Sequence, residues 1–178
     1  MNYFELFEIP VALQIDKTSL PRKYFELSRK YHPDFYANAA SEEQAEMLEK
    51  SSLVNKAFKT LQQPDELIKY VLQLKGLLQE EEKYDLAPDF LMEVMEINEE
   101  LMDLEPSAQP SSLKDLELHI TELENDMYEP VKPIVELYKE GITTPQELLQ
   151  VKEYYFRKKY LHRILDKIAA MRNIAPHS

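Results

Sequence analysis

The apolar positions of this chain fall into helical stripes that prolines interrupt. Tyr3, Phe4, Leu6, Phe7 and Ile9 cluster ahead of Pro10, which predicts a brief opening helix or turn covering a small core. From Ser19 to Tyr31, the residues Leu20, Tyr24, Leu27 and Tyr31 recur at spacings of 4, 3 and 4, so they share one helical face. Pro33 disfavours helical geometry at His32 and has no backbone donor, so His32-Pro33-Asp34 should open an ordered loop. Ser41 with Gln44 has the form of a capping box, and Ala45, Leu48, Val54, Ala57, Phe58 and Leu61 continue as a stripe towards Gln63. Pro64 restarts the chain, and Leu67, Ile68, Val71, Leu72 and Leu74 carry another helix that Gly76 stops.

A polar stretch at 79–83 reads as a linker. Beyond it, Pro88 suits the first turn of a helix running to Leu104, with a loop through Pro106, Ser107 and Pro110. Leu113, Leu116, Ile120, Leu123, Met127, Pro130, Ile134 and Leu137 then hold one seam up to Gly141. Pro130 and Pro133 remove two backbone donors within it, so a kink or break is expected there. Thr144-Pro145-Gln146-Glu147 has the form of a capping box opening a last helix to Met171. No segment alternates as a strand does. The expected fold is all-α: a first module at 1–76, then a three-helix bundle at 77–178 behind a short linker at 77–84.

Composition narrows the chemistry. Two glycines among 178 residues leave few positions for left-handed turns or phosphate-cradling loops, in keeping with helices. The lack of cysteine excludes disulfides, thiolate metal sites, cysteine-ligated clusters and a thiol nucleophile. The opening MNYFELFEIP has no basic segment followed by a long apolar run, and no stretch approaches membrane-spanning length, so a cytoplasmic protein is expected. A net charge of −12 argues against binding nucleic acid through its phosphates. The charge is segregated: residues 78–130 carry two basic and seventeen acidic side chains, and those from 131 onward carry nine and five. The last segment can therefore neutralise part of the one before it. His32, His119, His162 and His177 are widely separated and no paired metal motif appears, which disfavours a metal-dependent or acid/base enzyme. No cofactor is expected.

On the helix from Ser19 to Tyr31, Arg22 and Arg29 project away from the apolar face while Lys23 and Lys30 flank it. This cationic platform leads straight into His32-Pro33-Asp34, an arrangement suited to docking on an acidic protein and placing one charge-assisted hydrogen bond. The plainer alternative is that His32 and Asp34 only cap neighbouring helices. Tyr31 before the tripeptide, the upstream helix, and Ala57-Phe58-Lys59-Thr60-Leu61 followed by Pro64 together resemble the J-domain family over roughly residues 1–76. The resemblance implies a short first helix, an antiparallel helix pair joined by the His-Pro-Asp loop, and a fourth helix. It further implies binding to DnaK/HscA-class chaperone ATPases and stimulation of their hydrolysis, through His32, Pro33 and Asp34 with Arg22, Lys23, Arg29 and Lys30 in support. Phe25 and Phe35 stand where many general J-proteins carry basic residues, which argues against promiscuous chaperone pairing.

In the second module, Phe90, Val94, Ile97, Leu101 and Leu104 already complete a buried seam. Leu91, Met95 and Met102 fall beside it, and Met92, Glu96, Glu99 and Asp103 continue around the far side. A methionine strip edged by carboxylates suits docking, because methionine adapts its shape readily; a wider buried face is the alternative. On the last helix, Leu161, Ile164, Leu165 and Ile168 with Tyr154 mark the buried side, while Phe156 lies roughly 150° away among Lys152, Lys159 and Arg163, where an aromatic is not expected in the core. Phe90-Leu91-Met92-Glu93 and Asn98-Glu99-Glu100-Leu101, behind the J-like module, resemble the J-protein co-chaperones of iron-sulfur cluster biogenesis along nearly the whole chain. That resemblance implies a three-helix domain binding the scaffold protein IscU through Leu91, Met92, Met95, Glu96, Glu99, Asp103 and Phe156. Lys83, Tyr84 and Asp85 sit in the linker with no evident role. The expected function is an adaptor that activates the chaperone and delivers IscU to it; a different client, or self-association of the bundle, is the other reading.

Overall fold

Prolines set the helix starts. In the computed structural model, Pro21, Pro64 and Pro110 occupy first turns and Pro88 and Pro145 open their helices, positions where a missing backbone donor costs nothing. The structure describes residues 1–104 and 109–174; Pro106, Ser107 and His177, named above, lie outside the described residues. The order is α1 (Tyr3–Leu6), α2 (Leu20–Lys30), a single 3-10 turn (Pro33–Tyr36), α3 (Ser41–Leu61), α4 (Pro64–Leu74), α5 (Pro88–Leu104), α6 (Pro110–Tyr128), α7 (Lys132–Glu136) and α8 (Pro145–Ile174). The described residues contain no strand. They form two compact units: Met1–Leu78 with Val135–Thr144, and Gln79–Ile134 with the chain from Pro145 onward.

In the first unit α3 is the organising element, packed by α1, α2, the 3-10 turn and α4. Phe4, Leu20, Leu27, Val54, Ala57, Leu61, Leu67, Val71 and Leu72 are all buried. Tyr24 of α2 stacks on Phe58 of α3 at 4.2 Å, and its hydroxyl donates to Asn55 Oδ1 at 2.8 Å. Asn2 and Glu5 form a reciprocal capping box on α1. Beyond α1, Glu8 takes φ 55°, with its amide on Glu5 and that of Ile9 on Phe4; a glycine would hold this left-handed position without the roughly 1 kcal/mol steric cost. Helix α4 ends in the same motif with glycine in place: Gly76 has φ 70°, its amide donates to Gln73, and that of Leu77 donates to Leu72.

Several sequence expectations change here: Pro110, read as loop, is the first residue of α6, and Leu74 of the α4 stripe is exposed. Ser41 is not a cap: Ala40 holds that position, and the Gln44 amide donates instead to the carbonyls of Ala37 and Ala39 at 3.0 and 3.1 Å, tying the preceding loop down. Ala45 and Leu48 of the expected stripe are exposed, so α3 is buried only towards its C-terminal half. The seam through α6 breaks after Tyr128, as Pro130 and Pro133 lead one to expect, and Val131 and Val135 are buried beyond the break, but Leu137, read as part of the seam, is exposed. Val135–Thr144 then belongs to the first unit, not to the second as a division after Gly76 implies. Its anchor is Glu140, whose carboxylate accepts from the Tyr138 hydroxyl at 2.6 Å and pairs with Lys75 at the end of α4. Such a long-range clasp leaves no periodic trace in the sequence.

In the second unit α5, α6 and α8 pack on one another. Phe90, Val94, Ile97 and Leu101 meet Leu113, Leu116 and Ile120 and, from α8, Leu161, Ile164 and Ile168. These are the stripes read from the sequence, with Leu165 partly buried beside them. The last segment does neutralise acid from the one before: Arg172 pairs with Glu117 at 2.6 Å, Lys152 with Glu82 at 2.7 Å and Lys158 with Glu124 at 3.9 Å, while His162 Nε2 meets the same Glu124 carboxylate at 2.7 Å.

The Glu140 clasp has a pH signature. Hydrogen bonds from Lys75 and from Tyr138 hold the Glu140 carboxyl below its ordinary value of 4.5. A lowered folded-state value means that its stabilisation is complete above the unfolded value and disappears as pH falls through the folded one. Because the pair is partly exposed, the Glu140→Gln variant should lose about 1 kcal/mol or less at pH 7, and urea melts of variant and wild type should converge as pH falls below the lowered folded-state value.

Candidate functional site

Helix α2 ends at Lys30 and the chain turns at once through His32, with φ −66° and ψ 129°, into the 3-10 turn that begins at Pro33. The backbone amide of Asp34 donates to His32 Nδ1 at 3.2 Å, and that of Phe35 to the His32 carbonyl at 3.1 Å. His32 therefore does cap a short helix, as the plainer reading held. Accepting on Nδ1 places the proton of a neutral imidazole on Nε2. Asp34 is not used as a cap: its side chain is 89% exposed. The bend is held at two further points, since the Tyr36 hydroxyl donates to the Lys30 carbonyl at 2.8 Å and the Tyr31 ring meets the ammonium groups of Lys30 (5.3 Å) and Lys50 (5.6 Å).

Arg22, Arg29 and Lys30 are exposed on α2 leading to this bend. Lys23, expected in support beside them, is held in a different setting. Its ammonium bonds Glu8 at 2.9 Å and lies 3.7 Å from Glu26, and the side chain is largely covered. The hydrogen bond with Glu8 raises its pKa and lowers that of Glu8. Lys23 thus braces the left-handed turn after α1 against α2.

On α5 the surplus apolar residues stand in water. Met92, Met95 and Met102 are 64%, 61% and 66% exposed, and Leu91 is exposed to a lesser degree. Glu96, Glu99 and Asp103 are exposed as well, so a strip of thioethers edged by carboxylates runs along the helix. Burial of a wider face does not occur.

Phe156 sits otherwise than its helical angle suggests. It is half-buried, stacked on Tyr84 at 4.6 Å with the rings parallel to within 1°, and its neighbour Tyr155 meets it edge-on at 5.2 Å. Lys152 closes this cluster, its ammonium 5.6 Å from the Tyr84 ring and 2.7 Å from Glu82. Residues 82–86 are therefore a strap against α8, and Tyr84 has a defined structural part that the polar linker reading missed. Burial pushes its hydroxyl pKa up. Leu91 and Phe156 border one cleft with Tyr84, Tyr160, Lys159 and Arg163, while the methionines face outward beside it. Among the described residues, no group of three or more histidines and carboxylates is placed to hold a metal ion, and no helix is long and apolar enough to cross a membrane.

A family model described as the HSCB C-terminal oligomerisation domain matches residues 86–169. A co-chaperone protein HscB homolog of Photobacterium profundum is 36% identical over 125 residues, 69% of this chain and 73% of its own length. Another, from Shewanella halifaxensis, is 31% identical over 171 residues, 94% of this chain and 95% of its own. This chain belongs to the HscB co-chaperone family. The crystal structure of human co-chaperone protein HscB superposes with a TM-score of 0.80 at 27% identity, over 97% of this chain and 82% of that one. Chaperone HscB from Vibrio cholerae, at 24% identity and a TM-score of 0.76 over 97% and 98% of the two chains, shares the fold. Membership of the HscB family fits an all-helical chain with an N-terminal His-Pro-Asp bend and a bundle at 86–169.

The strap supplies a test that needs no partner. Tyr84→Ala should cost about 1–2 kcal/mol in thermal or urea unfolding, because it removes a stacked ring and bares one face of Phe156, while Tyr84→Phe should cost much less. Equal losses in both variants would place the stabilisation in the hydroxyl rather than the stack.

Proposed function

We propose that this protein binds a DnaK/HscA-class chaperone ATPase through the His32-Pro33-Asp34 bend and its basic approach, stimulates ATP hydrolysis by that partner, and brings to it the iron-sulfur scaffold protein IscU held on α5. The observation that carries this reading is the pairing of an ordered bend, which holds one carboxylate in water, with a separate exposed methionine strip on the second unit. Arg22, Arg29 and Lys30 attract an acidic partner surface, and Asp34 offers it one charge-assisted hydrogen bond from a fixed position. A contact made only in the hydrolysis-competent conformation of the ATPase shifts that partner towards turnover. Leu91, Met92 and Met95 supply adaptable apolar contact to IscU, with Glu96, Glu99 and Asp103 setting orientation, and Phe156 contributes from the cleft beside them. Joining the two functions in one chain makes the second encounter intramolecular and raises the effective concentration of cargo at the chaperone. No bond of the substrate is made or broken by this chain, and its place of action is the cytoplasm.

A second reading draws on the description of the matching family model as an oligomerisation domain: the same α5 strip pairs two copies of this chain. Sedimentation with and without IscU separates the two, since a scaffold-binding strip leaves the protein monomeric until IscU is added.

Asp34→Asn should abolish stimulation of chaperone ATP turnover and leave IscU affinity unchanged in calorimetric titration. Met92→Ala with Met95→Ala should weaken IscU binding at least about tenfold with a stability change within about 0.5 kcal/mol, as both side chains are solvated. Phe156→Ala should weaken binding too, but it also removes the partner of Tyr84 and so lowers stability. Stimulation retained by Asp34→Asn overturns the chaperone half of the proposal, and unchanged affinity in the methionine pair overturns the scaffold half.

A further inference from the structure

Of the seven phenylalanines in this chain, Phe4, Phe7 and Phe90 are buried and Phe58 and Phe156 are half-buried against aromatic neighbours. Phe25 and Phe35 alone stand in water, 70% and 69% exposed. They come from different elements, α2 and the 3-10 turn, yet they line one cleft together with Arg29, His32 and Asp34. Phe35 lies edge-on to the His32 ring at 6.2 Å, and Phe25 leans on Tyr24 at 5.8 Å. Neither is needed for the core, since Leu20 and Leu27 with the stacked Tyr24 already join α2 to α3.

We propose that Phe25 and Phe35 form an apolar specificity clamp, which receives an apolar side chain from the acidic surface of the chaperone ATPase that docks on Arg29, His32 and Asp34. The inference rests on the chaperone reading given above and adds to it the chemistry of the contact. Continuity identifies the occupant. Any protein surface that reaches Arg29 and Asp34 covers a cleft that these two phenyl rings share with Glu26, Ser28 and His32, and closing it removes both rings from water. Charge complementarity sets the rest of the partner's face, because the exposed cations at Arg22, Arg29 and Lys30 call for carboxylates around that apolar side chain. A lysine at either aromatic position would add attraction towards every acidic surface alike. Phenylalanine withholds it and rewards only a partner with an apolar group at the matching place, so selectivity arises from what the cleft leaves unpaired in a wrong partner. The association should also resist salt better than one made by charges alone, as apolar burial is not screened.

The test is stimulation of ATP turnover by the organism's own DnaK/HscA-class chaperone, titrated with wild type, the double variants Phe25→Lys/Phe35→Lys and Phe25→Leu/Phe35→Leu, and Asp34→Asn, at about 50 and about 300 mM salt. The lysine pair should need at least about ten times more protein for half-maximal stimulation at the higher salt and should show the steeper salt dependence; the leucine pair should remain within about threefold of wild type. Both positions are exposed, so unfolding temperatures should stay close to wild type, and IscU affinity serves as a control for intact folding. A lysine pair as potent as wild type or more potent, with Asp34→Asn inactive, overturns the clamp and leaves the chaperone reading standing. An active Asp34→Asn variant overturns that reading itself. Sedimentation that finds a wild-type dimer, dissolved in the lysine pair without loss of stimulation, would assign the cleft to a second copy of this chain and so overturn the clamp as well.

Discussion

A helix in a small helical unit buries one stripe, and whatever apolar residues lie off that stripe remain in water. The functional surfaces of this protein follow from that constraint. On α5 the positions Phe90, Val94, Ile97 and Leu101 satisfy the contacts with α6 and α8, so Met92, Met95 and Met102 have no core left to join. On α2, Leu20, Leu27 and the stacked Tyr24 do the same against α3, and Phe25 is left outside. Solvated apolar groups on otherwise well-packed helices are informative because the core explains every neighbour except them.

Electrostatics sharpen the contrast between the two surfaces. Within the second unit the cations of α8 reach acids of the strap and of α6, through Lys152 with Glu82, Lys158 with Glu124, and Arg172 with Glu117. The carboxylates Glu96, Glu99 and Asp103 of α5 remain exposed around the methionines. The first unit presents the opposite sign beside its apolar cleft, at Arg22, Arg29 and Lys30. An acidic partner and a basic one are therefore drawn to different parts of the chain, which keeps the two proposed interactions from competing.

Periodicity made the elements legible. The stripes of α2, α5 and α8, that of α4 apart from the exposed Leu74, the helix starts at Pro64, Pro88 and Pro145 and the stop at Gly76 all depend on chemistry within a few residues, and they stand in the structure as read. What periodicity could not show is pairing between distant segments. Phe156 is half-buried because Tyr84, in a stretch of polar composition, crosses to stack on it; its helical angle alone placed it in solvent. Val135–Thr144 joins the first unit because Glu140 meets Lys75, across a separation no local pattern encodes. Lys23 reads with Lys30 as flanking the apolar face of α2, and nothing local marks Glu8, held in a left-handed conformation, as its partner. The exposure of Met92 and Met95 was equally undecided by spacing, which allowed either a wide core or a free strip, and only the packing of three helices resolves it.

The bend itself shows why residues that touch no partner can govern an interface. An exposed carboxylate on a mobile loop must lose conformational freedom when it binds, and that loss subtracts from the gain of its hydrogen bond. Here the ordering is completed in the folded protein. Pro33 fixes one backbone angle, Asp34 and Phe35 bond back to His32, Tyr36 bonds the end of α2, and Gln44 holds Ala37 and Ala39 from the first turn of α3. The Tyr31 ring, met by the ammonium groups of Lys30 and Lys50, links the end of α2 to α3 across the turn. Each of these contacts lowers the entropy that Asp34 has left to lose, so the proposed chaperone contact draws on Tyr36, Gln44 and Lys50 as well as on the three residues that face outward.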